Sequence, residues 1–200
     1  SIAADELSAE HAVRLEPSNF AEFARELPAK AKMVLQAGMS LPFGSLIAQF
    51  WLWRNQPEKA LQALARVPQD YFEEYAAREP KGYLTGWAHT LAGRPAAAQA
   101  EWRNALALVE ERMKSDNRNF TLLNQRALLL GLTGQREAAR EAWRLRVELG
   151  GEQNRPDLNA EAMVLLAVGE PEPAVSAIER GWTGRKIGPR AWTLPVLRYH

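Results

Sequence analysis

Three histidines, His11, His89 and His200, are the side chains best suited to moving protons at neutral pH, and none has a base or ligand at catalytic spacing. No HExxH helix, phosphate-cradling glycine loop or serine elbow is present. The acid pairs Asp5-Glu6, Glu73-Glu74 and Glu110-Glu111 are sequence neighbours. Neighbours on a helix point apart, so these read as solvated faces, not as acid–base couples. The absence of cysteine excludes disulfides and thiolate metal sites but does not choose a compartment. Arg185, Lys186, Arg190 and Arg198 interleave with Trp192 and Tyr199, the ingredients of a stacking surface for nucleic acid. The net charge of +1 supplies no general field toward nucleic acid, and a capping role is the plainer reading. No apolar run approaches the length of a membrane span. The expectation is therefore no catalytic group, no metal, no cofactor, no direct nucleic-acid contact and no membrane insertion.

The organising signal is repetition. Gly93-Arg-Pro-Ala-Ala-Ala-Gln-Ala-Glu-Trp102-Arg returns as Gly134-Gln-Arg-Glu-Ala-Ala-Arg-Glu-Ala-Trp143-Arg, 41 residues on. Asn55 and Gly169 mark the same turn elsewhere, giving intervals of 38, 41 and 35. Five residues after each marker stands Ala60, Ala98, Ala139 or Ala174, and four further on Leu64, Trp102, Trp143 or Ile178. Seven before each marker stands Ala48, Gly86, Ala127 or Ala162. Small residues on facing surfaces let two helices approach closely, and the bulky residue one turn along fills the space toward the next pair. Trp102 and Trp143 are thus expected in like settings, wedged between successive hairpins. Pro57, Pro95 and Pro171 fall in the first helical turn, where a missing N–H costs nothing. A nonrepetitive helical bundle is the bland alternative.

In chain order, Ala3–Leu15 reads as a helix stopped by Pro17, and Phe20–Ala37 as a second, kinked at Pro28 and ended by Gly38. Residues 1–40 thus form N-terminal helices. The repeat units are 41–68, 81–114, 120–149 and 157–181, within a single domain spanning 1–200. Tyr71, Phe72 and Tyr75 lie between the first two units at helical spacing and predict a short extra turn of helix. Residues 182–200, rich in Gly and Pro yet carrying Trp192, Leu194 and Leu197, are expected to fold back as a cap over the last unit. The chain has no initiator Met and its first helix starts in mid-pattern, so it is expected to be a piece of a longer protein.

This order of small residue, turn glycine, alanine and aromatic resembles the tetratricopeptide repeat, a helix–turn–helix unit of about 34 residues. The resemblance implies an all-α, right-handed α-solenoid of about four to five stacked antiparallel pairs with a C-terminal capping tail. It also implies a concave face lined by the first helix of each pair. On this sequence the inward positions are Ser45, Gln49 and Trp53, then Tyr83 and Trp87, then Asn124 and Leu128, then Asn159 and Met163. Side-chain amides can hold an extended peptide backbone and aromatics can anchor it. The lysines and arginines by which one subset of that family grips a terminal carboxylate are missing from this ladder.

Phe50-Trp-Leu-Trp-Arg-Asn-Gln-Pro-Glu-Lys-Ala-Leu61, with the later repeats, also resembles the helical repeat region of bacterial signalling proteins. That likeness implies a protein- or peptide-binding scaffold, the partner-binding or sensory part of a bacterial regulator. The compartment would be cytoplasmic, or extracytoplasmic if a membrane anchor precedes the repeats. The alternative is a small-molecule or peptide sensor, its pocket lined by Tyr83, Trp87 and Asn124 and closed by the tail and the Tyr71–Tyr75 insert.

Overall fold

The computed structural model describes residues 44–74, 77–151, 154 and 158–183, all within the unit Pro42–His200. The expected N-terminal helices, and the expected cap beyond Thr183, lie outside these residues. Among the described residues eight helices and one β-hairpin follow in order. They are α1 (Gly44–Trp53), α2 (Pro57–Ala65), β1 (Tyr71–Glu74), β2 (Ala77–Pro80), α3 (Lys81–Leu91), α4 (Pro95–Met113), α5 (Phe120–Leu132), α6 (Arg136–Gly150), α7 (Leu158–Ala167) and α8 (Pro171–Thr183). The chain is mostly helical, and each consecutive pair of helices packs together as a hairpin.

All four hairpins turn in the same way. Asn55, Gly93, Gly134 and Gly169 have φ of 52°, 70°, 83° and 83°, the left-handed region where glycine and asparagine cost least. The amide after each marker donates to the carbonyl five residues back: Gln56 to Trp51 (2.9 Å), Arg94 to His89 (2.9 Å), Gln135 to Leu130 (2.8 Å), Glu170 to Leu165 (2.9 Å). The marker's own amide donates three back, as Gly93 does to Thr90 at 3.0 Å. Both bonds of a Schellman cap are present at every corner, so two of the last carbonyls of each first helix are satisfied within the turn. The small residues flanking each corner are shut away: Ala48, Ala60, Ala127, Ala139, Ala162 and Ala174 are 0% exposed.

The bulky positions diverge. Trp102 is buried, and its indole lies against Gly86 so closely that a Cβ there would stand 2.1 Å from Nε1. Trp102 Nε1 donates to the carbonyl of Tyr83 at 3.3 Å, so this tryptophan packs on the first helix of its own pair. At the matching place α5 carries Ala127, whose Cβ would block an indole seated in the same way. Trp143 stays half-buried and lines a cleft with Val164, Leu165 and Val168 of the next pair. The two tryptophans therefore do not share a setting, and one methyl group accounts for the difference.

The insert also departs from expectation. β1 and β2 pair antiparallel, with Tyr71 opposite Pro80 and Phe72 opposite Glu79. Aromatics at positions i, i+1 and i+4 suit a helix, but a segment bounded by Pro68 and Pro80 is short for one, and aromatics favour strands. Tyr71 and Phe72 are both buried although strand neighbours face opposite ways, so β1 is covered on both faces. The Lys81 amide donates to the Asp70 carbonyl at 2.8 Å and ties the base of the hairpin to the start of α3. The last helix runs through Gly181–Thr183, past the predicted end of the fourth unit.

Candidate functional site: the first helices and the hairpin

The inward positions fall into two groups. In the first, Gln49 of α1 donates Nε2 to Glu79 Oε1 of β2 at 3.0 Å. The Tyr83 ring meets Trp87 edge-on at 6.4 Å, and Trp87 meets Trp102 at 5.5 Å. Burial pushes the Tyr83 phenol well above its usual value, and the nearby Glu79 carboxylate adds to the effect. Glu79 thus joins two predicted positions that lie 34 residues apart in sequence, Gln49 and Tyr83. Trp53 is half-buried at the end of α1. Ser45 is fully buried and Trp87 is buried in the core, so neither presents a side chain to a groove.

In the second group, Asn124 of α5 is occupied. Its Oδ1 accepts from Arg146 Nε at 2.9 Å. Arg146 is only 4% exposed, donates Nη1 to the Asn154 carbonyl at 2.9 Å, and stacks its guanidinium over Phe120 at 4.3 Å. Leu128 and Met163 are partly buried and pack on the core from α5 and α7, and Asn159 is half-buried at the start of α7.

Four residues outside the predicted ladder shape the site. Gln125 Oε1 accepts from the Tyr71 hydroxyl at 2.9 Å, while its Nε2 donates to the backbone carbonyl of Arg78. One amide on α5 therefore clasps both strands of the hairpin. Arg112, near the end of α4, covers the Tyr71 ring at 4.0 Å and pairs with Glu73. Burial raises the Tyr71 phenol, against the pull of Gln125 and Arg112. Arg146 had a legible signal: it continues the inward stripe of Ala139 and Ala142, while Leu145, Val147 and Leu149 fall outside it and are 41%, 41% and 39% exposed. Glu79 and Gln125 had none, because their meeting depends on where the hairpin lies.

The junction between the third and fourth pairs is different in character. A cleft of about 330 Å³ opens between α6 and α7, walled by Trp143, Val147, Val164, Leu165 and Val168. Its rim residues are internally matched, with Arg140 on Glu170 at 2.7 Å and Arg144 on Glu148 at 2.7 Å. Neither Tyr83, Trp87 nor Asn124 lines this cleft.

Chemically, the first helices of the pairs offer amide donors and acceptors and aromatic area, and among the described residues they carry no nucleophile–base couple. His89 is half-buried on α3, its Nδ1 buried and without a hydrogen-bond partner among the described residues. Among the described residues no group of three His, Cys, Asp or Glu side chains could hold a metal, and no helix is long and apolar enough to cross a membrane. No family model, curated protein or solved structure matches the chain.

Proposed function

We propose that this chain is a non-enzymatic protein- or peptide-binding module, a right-handed tetratricopeptide-like solenoid whose first helices bind an extended segment of a partner. The observation that carries the reading is the amide pair Gln49 and Gln125. Both are spent on an extended strand, one on a side-chain carboxylate and one on a backbone carbonyl. Identical Schellman corners and buried alanines at a fixed phase support the repeat architecture. The place of the module in a larger bacterial regulator follows from the resemblance of residues 50–61 and the later repeats. A partner recovered with the intact parent should lose affinity on Gln49→Ala, Leu128→Ala or Met163→Ala while each chain stays folded, the last two melting lower because they also pack on the core. Unaltered affinity in all three would sink the reading. Trp87→Ala and Asn124→Ala are poor probes, since both remove structural contacts.

A second reading, a sensor of a small ligand, is favoured by the α6–α7 cleft. Its carbon-lined walls and charge-matched rim suit an uncharged apolar molecule. Saturable quenching of Trp143 by such a molecule, lost in Val147→Asp at an exposed wall position, would favour it over the groove.

A further inference from the structure

The inner amides are not waiting for a ligand in this structure; the chain's own hairpin is on them. The geometry points to β2 as an internal occupant of the inner wall, one that a partner's acidic extended strand replaces. This rests on the inner-wall reading above and adds what the partner looks like and what it must displace.

The strand spans the wall. Its Arg78 carbonyl is held by Gln125 on α5 and its Glu79 carboxylate by Gln49 on α1, the first helices of the third and first pairs. In sequence α3 lies between them and begins directly after the strand. A backbone carbonyl on one amide and the next residue's carboxylate on another is how a groove of amides would hold a foreign strand. The ligand that fits is an extended segment with a glutamate or aspartate at the position that Glu79 fills.

The two strands are not held equally. On β1, Tyr71 and Phe72 are 8% and 2% exposed and belong to the core. On β2, Arg78 is exposed and Glu79 half-buried; Pro80, fully buried at the entry to α3, fixes the strand's far end but has no N–H to give the ladder. β1 is the anchor, and the Arg78–Glu79 stretch of β2 is the exchangeable part. An internal occupant lowers apparent affinity by the fraction of time the wall is open.

The test uses the full chain and a fluorescent peptide, Ala-Ala-Arg-Glu-Pro-Lys, with its Gln-for-Glu counterpart as control. Glu79→Ala removes the strand's carboxylate and keeps both receptor amides, so it should bind the peptide about tenfold tighter than the natural chain. Glu73→Ala, which frees Arg112 instead, should act in the same direction. Gln125→Ala added to Glu79→Ala should abolish that gain, and the control peptide should bind weakly throughout. Equal affinities for the natural chain and both Glu variants, lost alike on Gln125→Ala, would overturn the occupancy and leave the inner-wall reading standing. Equal affinities indifferent to Gln125→Ala, or no binding to any folded variant, would overturn both.

Discussion

Gly86→Ala pits two effects of opposite sign against each other. On helix propensity alone, alanine for glycine inside α3 should stabilise by about 1 kcal/mol. The added Cβ, however, would lie 2.1, 2.4 and 2.6 Å from three atoms of the Trp102 indole. A rigid bicyclic ring cannot yield at one end, so it must leave its seat or drive α3 and α4 apart. Overpacking of this kind costs roughly 1–3 kcal/mol, and losing part of the burial of a tryptophan can exceed that. The net expectation is destabilisation by about 2 kcal/mol, a fall in melting temperature of roughly 4–8 °C for a domain of this size. Thermal unfolding by circular dichroism reads it directly. The cycle with Trp102→Leu separates the terms. Once the indole is gone, adding Gly86→Ala should raise stability by about 1 kcal/mol relative to Trp102→Leu alone. A Gly86→Ala protein that melts higher than the natural chain would refute the packing argument.

Asn124→Ala should destabilise the fold by about 1–3 kcal/mol in denaturant titration, because the buried guanidinium of Arg146 loses an acceptor. Asn124→Asp should keep an acceptor there and stay near natural stability; equal loss in both would contradict the assignment. The raised phenols of Tyr83 and Tyr71 set an alkaline limit: folded tyrosines stay protonated after unfolded ones ionise near pH 10. Their contribution is full below that pH and lost above it, so melting temperature should fall as pH climbs past about 10, less steeply in Tyr83→Phe. An identical slope in Tyr83→Phe would remove that tyrosine from the account. Phe72→Ala should cost about 3–5 kcal/mol, the toll for emptying a core position, whereas Glu73→Ala on the same strand should leave melting nearly unchanged. Comparable losses would mean that β1 is not the anchor.

What was legible in the sequence was local. A glycine or asparagine corner, a proline in the next helical turn and alanines at fixed offsets act within a few residues, and the corners at Asn55, Gly93, Gly134 and Gly169 follow from them. The hairpin was not legible, because its strand state comes from burial of Tyr71 and Phe72 on both faces by elements distant in sequence. Nor was the split between Trp102 and Trp143, which turns on whether Gly86 or Ala127 stands opposite. The site was half legible. Gln49 and Tyr83 meet at one carboxylate, but that carboxylate and Gln125 belong to a tertiary contact with no sequence period to announce it.

The inner wall and the α6–α7 cleft can be told apart in one titration. With methyl-labelled protein carrying Glu79→Ala, the acidic peptide should shift the methyl resonances of Leu128 and Met163 on the first helices. Those of Leu145 and Val147 on α6 should stay in place. Shifts at Val147 and Val164, with Leu128 and Met163 unmoved, would contradict the account and transfer binding to the cleft beside Trp143.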